Sequence, residues 1–179
     1  MGHFLGALEQ LLDAPGQQSG STIDPDFHEP TISLLDRGFL YCVAHVRGGG
    51  FTGYYNWLDG KMLRKKNSFY DFINCAKWLF KNNYTSPSKM AIWGRSAGGL
   101  LIGSVINMYP SIANLAILGV PFVDVINTMM DSNQPLTTEE YKEWGNPEDS
   151  KIYKYMESYD PIQNINKQAN YPNIYIYSN

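Results

Sequence analysis

Residues 89–106, KMAIWGRSAGGLLIGSVI, set one serine between glycines and place an apolar run on either side of it. Gly94-Arg95-Ser96-Ala97-Gly98 fits the pattern G-x-S-x-G. Two readings compete: Ser96 is a nucleophile on a sharp strand-to-helix turn, or it is a small residue in a tight connection. The first needs a strand before the serine and a helix after it. Met90–Trp93 supplies the strand and Leu100–Met108 the helix. Gly94 and Gly98 let the backbone turn past the serine without a Cβ clash. At the helix start, backbone N–H groups, that of Ala97 above all, would face a developing oxyanion.

The flanking sequence keeps the same rhythm. FLYCVAHV (39–46) reads as a buried strand ending in the turn Arg47-Gly48-Gly49-Gly50. In NSFYDFINCAKWLFKNN, residues Phe69, Phe72, Ile73, Ala76, Leu79 and Phe80 fall on one helical face. Asn67 or Ser68 caps that helix, and Asp71 sits near its positive end. A third strand is expected at 114–121, helices near 137–143 and 149–157, and a fourth strand in YPNIYIYS. TISLLDRG reads as a short helix, and residues 1–19 as an amphipathic helix stopped at Pro15-Gly16. Strand alternating with helix predicts an α/β fold, a mostly parallel sheet with helices on both faces.

Composition narrows the function. Hydrophobic residues make up 44% and charged ones 17%, with net charge −3, so nucleic acid is not an expected partner. The basic cluster Lys61, Arg64, Lys65 and Lys66 reads as a solvated face. Membrane association is not expected either, for no apolar run is long enough to span a bilayer. With no secretory leader in view, the expected location is cytoplasmic. Cys42 and Cys75 are expected as buried free thiols. No cysteine or histidine cluster predicts a metal, and no motif predicts a cofactor. The RGGG turn lacks the rest of any phosphate-binding fingerprint, so it reads as a structural turn near the mouth of the site. His45 reads as a hydrogen-bonded core histidine, Trp144 as a loop anchor, and the tyrosines of the last third as packing surface.

Several blocks in sequence order carry a family resemblance: LLDRGFLYCVAHVRGGG, LRKKNSFYDFINCAKWL, GRSAGGLLIGSVINMYP, GVPFVDVINTMMDSNQPLTTEEYKEWGNP and YDPIQNI. Together they resemble the oligopeptidase B branch of the prolyl oligopeptidase family of serine peptidases, from about residue 20 onward. The resemblance implies a cytosolic peptidase acting on short peptides by acyl transfer, with an α/β-hydrolase catalytic domain and a preference for Lys or Arg at P1. Ser96 would be its nucleophile. Glu140 would receive the basic P1 side chain, although Glu139, Glu140, Lys142 and Glu143 read equally well as one solvated helix face.

The departures shape what is expected of this chain. Lys142 stands where the family carries a second glutamate, a cation that would repel an arginine substrate or pair with Glu140. Ser19 stands where the family has its oxyanion tyrosine, and residues 1–19 resemble nothing in it. Residues 20–179 therefore read as a partial peptidase domain, truncated before the loops that carry the catalytic acid and histidine. His3, His28 and His45 all precede Ser96. Only His45 would approach the serine, as the end of a strand on its side of the sheet. The chain alone is expected to be inactive. The alternatives are a non-enzymatic fragment or pseudoenzyme of the same family and, more distantly, a small esterase.

Overall fold

The computed structural model describes residues 29–50 and 53–178. Three strands, β1 (Ala91–Arg95), β2 (Leu115–Gly119) and β3 (Asn173–Tyr177), form a parallel sheet in the order β1-β2-β3. Ala91 pairs with Leu115 and Leu115 with Asn173; at the other end Arg95 pairs with Gly119 and Gly119 with Tyr177. All three strands therefore stop along one edge. β1 and β2 bury most of their residues, whereas β3 leaves Ile174, Tyr175 and Ile176 exposed.

The helices are α1 (Glu29–Asp36), α2 (Tyr54–Leu58), α3 (Lys66–Lys81), α4 (Ala97–Met108), α5 (Val125–Met130), α6 (Thr137–Trp144) and α7 (Ser150–Glu157). α4 makes the crossover from β1 to β2 and is buried from Gly98 through Ile106. A helix apolar on every side belongs inside a domain, and α4 packs on β1, β2 and α3. A Cβ at Gly99 would lie 2.5 Å from the Pro121 Cβ, so only glycine allows this approach. α3 buries Phe69, Phe72, Ile73, Ala76 and Leu79 of the stripe its sequence predicts, while Phe80, also expected there, is only half-buried.

Several sequence expectations need correction. Segment 39–46 is not a strand and takes no place in the sheet. The Val46 N–H turns back onto the Ala44 carbonyl, and alternation buries Ala44 and Val46 while His45 stays exposed. His45 is thus neither a core residue nor the end of a sheet strand. The helix caps also differ. α3 continues from a 3₁₀ turn at Met62–Arg64 through Lys65, whose own angles are helical, and has no side-chain cap. Asn67 instead donates to the Asp59 carbonyl (2.7 Å) and Ser68 to the Arg47 carbonyl (2.5 Å). Asp71 takes both the Arg47 backbone N–H and its guanidinium, at 2.7–3.0 Å. Cys42 is half-buried and Cys75 exposed, both as free thiols, because position 75 falls off the buried stripe of α3.

α5 escapes the sequence reading because it is short and carries no cap of its own. The Asp160 carboxylate, fully buried beyond α7, accepts the Ile126 N–H (3.0 Å) together with those of Ile162 and Gln163. α7 is capped locally by Asp149, which accepts from Lys151 and Ile152. The helix expected within residues 1–19, Ser19, the boundary at 19/20, His3 and His28 all lie outside the described residues.

Candidate active site at the strand ends

Ser96 is the single residue between β1 and α4, with φ 54° and ψ −117°. Such angles cost a non-glycine residue about 1–3 kcal/mol and persist only when the surroundings over-determine them. Here they do. The Ser96 N–H donates to the Gly119 carbonyl (2.9 Å), and the Ser96 carbonyl accepts from Gly99 (2.8 Å), Leu100 (3.2 Å) and Phe122 (3.1 Å). The residue itself is exposed. Gly94 and Gly98 press together, for a Cβ at Gly94 would lie 2.2 Å from the Gly98 carbonyl oxygen. Ala97 is the first residue of α4. A helix leaves its first N–H groups unpaired and its N-terminus partly positive, so Ala97 can offer an N–H to an anion beside Ser96.

Open parallel sheets bind ligands in the crevice beyond the carboxyl ends of their strands. Ser96 and Val120 both stand there, at the ends of adjacent strands. Val120 also has a positive φ, 36°, rare for a β-branched residue. Its N–H donates to the Tyr177 carbonyl (2.7 Å). Phe122 follows immediately. Its N–H holds Ser96, and its ring packs on that of Trp144 with centroids 5.3 Å apart. The Trp144 indole N–H donates to Glu140 Oε2 at 2.6 Å. Ser96 and Glu140 are thus joined through Phe122 and Trp144, although they lie on different elements.

α6 separates its charges by helical spacing. Glu139 and Lys142 are exposed, Glu140 is half-buried, and Glu143 is buried with Trp144. The single solvated face read from the sequence is therefore divided in two. Lys142 makes no ion pair with Glu140 among the described residues. Lys65 occupies the interior instead: at 1% exposure its ammonium lies 3.5 Å from Glu143 Oε1 and 4.7 Å over the Trp144 ring. The other Glu143 oxygen accepts the Trp57 indole N–H at 2.9 Å. Burial lowers the Lys65 pKa to about 8 against the opposing pull of Glu143.

The basic cluster is thus not one solvated face. Arg64 pairs with Asp59 on the surface, Lys61 lies 3.6 Å over the Trp57 ring, and Lys66 lies near the Tyr155 ring. Trp144, read from the sequence as a loop anchor, is the last residue of α6 and is 3% exposed. Sequence reasoning missed Phe122, Trp57, Lys65 and Glu143. The strand-end rule singles out Phe122 once β2 is recognised; no local signal marks the other three. Among the described residues, no helix is long and apolar enough to cross a membrane, and no group of three His, Cys, Asp or Glu residues could hold a metal ion.

The arrangement has known counterparts. Protease 2 of Moraxella lacunata is 48% identical over 157 residues, covering 88% of this chain and 23% of that protein. Dipeptidyl aminopeptidase BI of Pseudoxanthomonas mexicana is 45% identical, covering 88% of this chain and 22% of its own length. Among solved structures, oligopeptidase B from Leishmania major superposes with a TM-score of 0.86 at 43% identity, covering 98% of this chain and 23% of that one. Oligopeptidase B from Trypanosoma brucei, in its closed form with covalently bound antipain, also gives 0.86, at 44% identity and 98% and 24% coverage. The chain spans less than a quarter of the length of each of these relatives. The family model described as the prolyl oligopeptidase family matches residues 25–177. With the strand–serine–helix turn, the parallel sheet and these relatives in agreement, the chain belongs to the prolyl oligopeptidase family.

Proposed function

We propose that these residues form the nucleophile-bearing part of a serine oligopeptidase that cleaves short peptides after Lys or Arg. The observation that carries the reading is the backbone of Ser96, strained, exposed, and tied by four backbone hydrogen bonds at the mouth of the sheet. Its Oγ attacks the scissile carbonyl carbon, the C–N bond breaks, and water later releases the acyl group from Oγ. The Ala97 N–H stabilises the oxyanion, a contribution of roughly 10²–10³ in rate for one such donor. Glu140 receives the basic P1 side chain, supported by its link to Ser96 through Phe122 and Trp144.

A serine hydroxyl needs a base to take its proton, and no histidine follows Ser96 in these 179 residues. The full-length protein that carries them is expected to react with a fluorophosphonate at Ser96, whereas the 179 residues alone are not. Labelling of the full-length protein that survives Ser96→Ala would overturn the assignment. Stoichiometric labelling of the 179 residues, lost in Ser96→Ala, would show that a base lies within them. The two free thiols agree with a cytoplasmic, reducing location.

A further inference from the structure

We propose that Lys65 is a positioning residue for the cation-binding carboxylate: from the face of the Trp144 ring, and paired with Glu143, it fixes the indole whose N–H orients Glu140. The inference rests on the reading of Glu140 as the P1 contact.

Three separate elements meet at this point. Trp57 comes from α2, Lys65 from the turn into α3, and Glu140, Glu143 and Trp144 from α6. Lys65 Nζ and Glu143 Oε1 are both buried, and neither has a hydrogen-bond partner; the loose ion pair is what they share. Burying such a pair seldom adds stability over an apolar substitute, and fixing one geometry is among the uses that retain it. Lys65 is suited to that use. Its ammonium lies over the face of the ring whose edge nitrogen binds Glu140. Glu143 neutralises the lysine, so an incoming guanidinium meets the charge of Glu140 without opposition from Lys65. With Oε2 held by the indole, Glu140 keeps Oε1 for the ligand, and a preset acceptor binds with less loss of side-chain freedom.

The titratable groups around the pair are Glu140 and Glu143 on α6, Lys61 ahead of the 3₁₀ turn and Tyr159 after α7. Tyr159 is held protonated far above neutrality by burial and the carboxylates. Burial lowers Lys61 as well, and Lys65, lowered to about 8, is the buried member that loses charge in the mildly alkaline range. Clamping by the charged lysine should therefore weaken as pH rises through 8.

The test is calorimetric binding of benzamidine to the full-length protein, with neutral benzamide as reference, at pH 7 and pH 9.5. Wild type should prefer benzamidine, and Glu140→Gln should lose that preference. Lys65→Met and Trp144→Phe should each reduce it about tenfold, the scale of one lost hydrogen bond. The wild-type preference should fall between the two pH values and stay level in Lys65→Met. If Glu140→Gln loses the preference while both other variants keep it, Lys65 and Trp144 have no positioning role and the P1 reading stands alone. If wild type and Glu140→Gln bind alike, the P1 reading fails and takes the inference with it. Should Lys65→Met not fold, Trp144→Phe and the wild-type pH profile decide: a preference unchanged in both overturns the proposal.

Discussion

The Ser96 N–H donates to the carbonyl of Gly119, so the strained residue is braced by the end of the neighbouring strand. Relieving the strain should therefore stabilise the protein while removing the hydroxyl. Ser96→Gly is expected to raise unfolding stability by about 1 kcal/mol, since glycine accepts positive φ without cost. Ser96→Ala, which keeps the strain, should leave stability within about 0.5 kcal/mol of wild type. Urea midpoints for the two variants check this; a drop in stability for Ser96→Gly would mean the turn carries no strain.

Gly94 permits the turn to close. A methyl group there meets the Gly98 carbonyl at 2.2 Å, a backbone atom that cannot rotate away. Gly94→Ala should cost about 3 kcal/mol, at the upper end for overpacking, and should abolish fluorophosphonate labelling of the full-length protein. Retention of wild-type stability would show that the elbow has slack.

Lys142 is exposed, two residues after the half-buried Glu140 on α6. Replacing it with glutamate removes a cation and adds an anion on the helix that carries Glu140, the proposed P1 contact. Because solvent screens the position, the gain for arginine over neutral P1 peptides should be modest, about 1 kcal/mol or roughly fivefold in kcat/KM. If Lys142→Glu and wild type both cleave Arg and neutral P1 peptides equally well, Glu140 does not belong to the specificity site.

Stability should rise with pH in two separate windows, one at each end of the scale. Lys65 has its folded-state pKa lowered to about 8 from 10.5 by burial. Between those values the unfolded chain holds more protons, so the Lys65 contribution makes stability rise with pH. Lys65→Met should remove that rise from denaturation curves taken at pH 7.5 to 10.5. Asp71 acts in the same sense at the acid end. Burial pushes its carboxyl up, but the Arg47 side-chain and backbone hydrogen bonds prevail and hold it below 3.8. Its contribution is present above the unfolded value and disappears as pH falls through the lower folded one. Asp71→Asn should flatten the acid limb of the stability profile below pH 4.

What the sequence makes legible follows from how local each cause is. β1, α4, β2 and β3 are visible because apolar runs and glycine punctuation are properties of a few consecutive residues. Segment 39–46 has the same apolar character, but a strand also needs a partner, and that condition is not written locally. α5 is invisible for a similar reason, since Asp160, remote in sequence, supplies its cap. The site divides along the same line. Ser96 with its two glycines is a contiguous motif. The burial of Lys65 depends on Glu143, far along the chain, so a run of basic residues looks solvated until α6 is placed over it.

The apolar girth of α4 sets an order of assembly. A helix with no polar side cannot wait exposed in water while its surroundings form, and its first cover, β1 and β2, flanks it directly in sequence. Those pairings close short loops and can form quickly. β3 joins β2 only after the long excursion through α5, α6 and α7, and Asp160 locks α5 only when that excursion returns. During synthesis from the N-terminus, the serine turn would thus take shape on a two-stranded precursor. The strand that donates nothing to that turn would arrive last, leaving the outer edge of β2 open to mispairing for the interval.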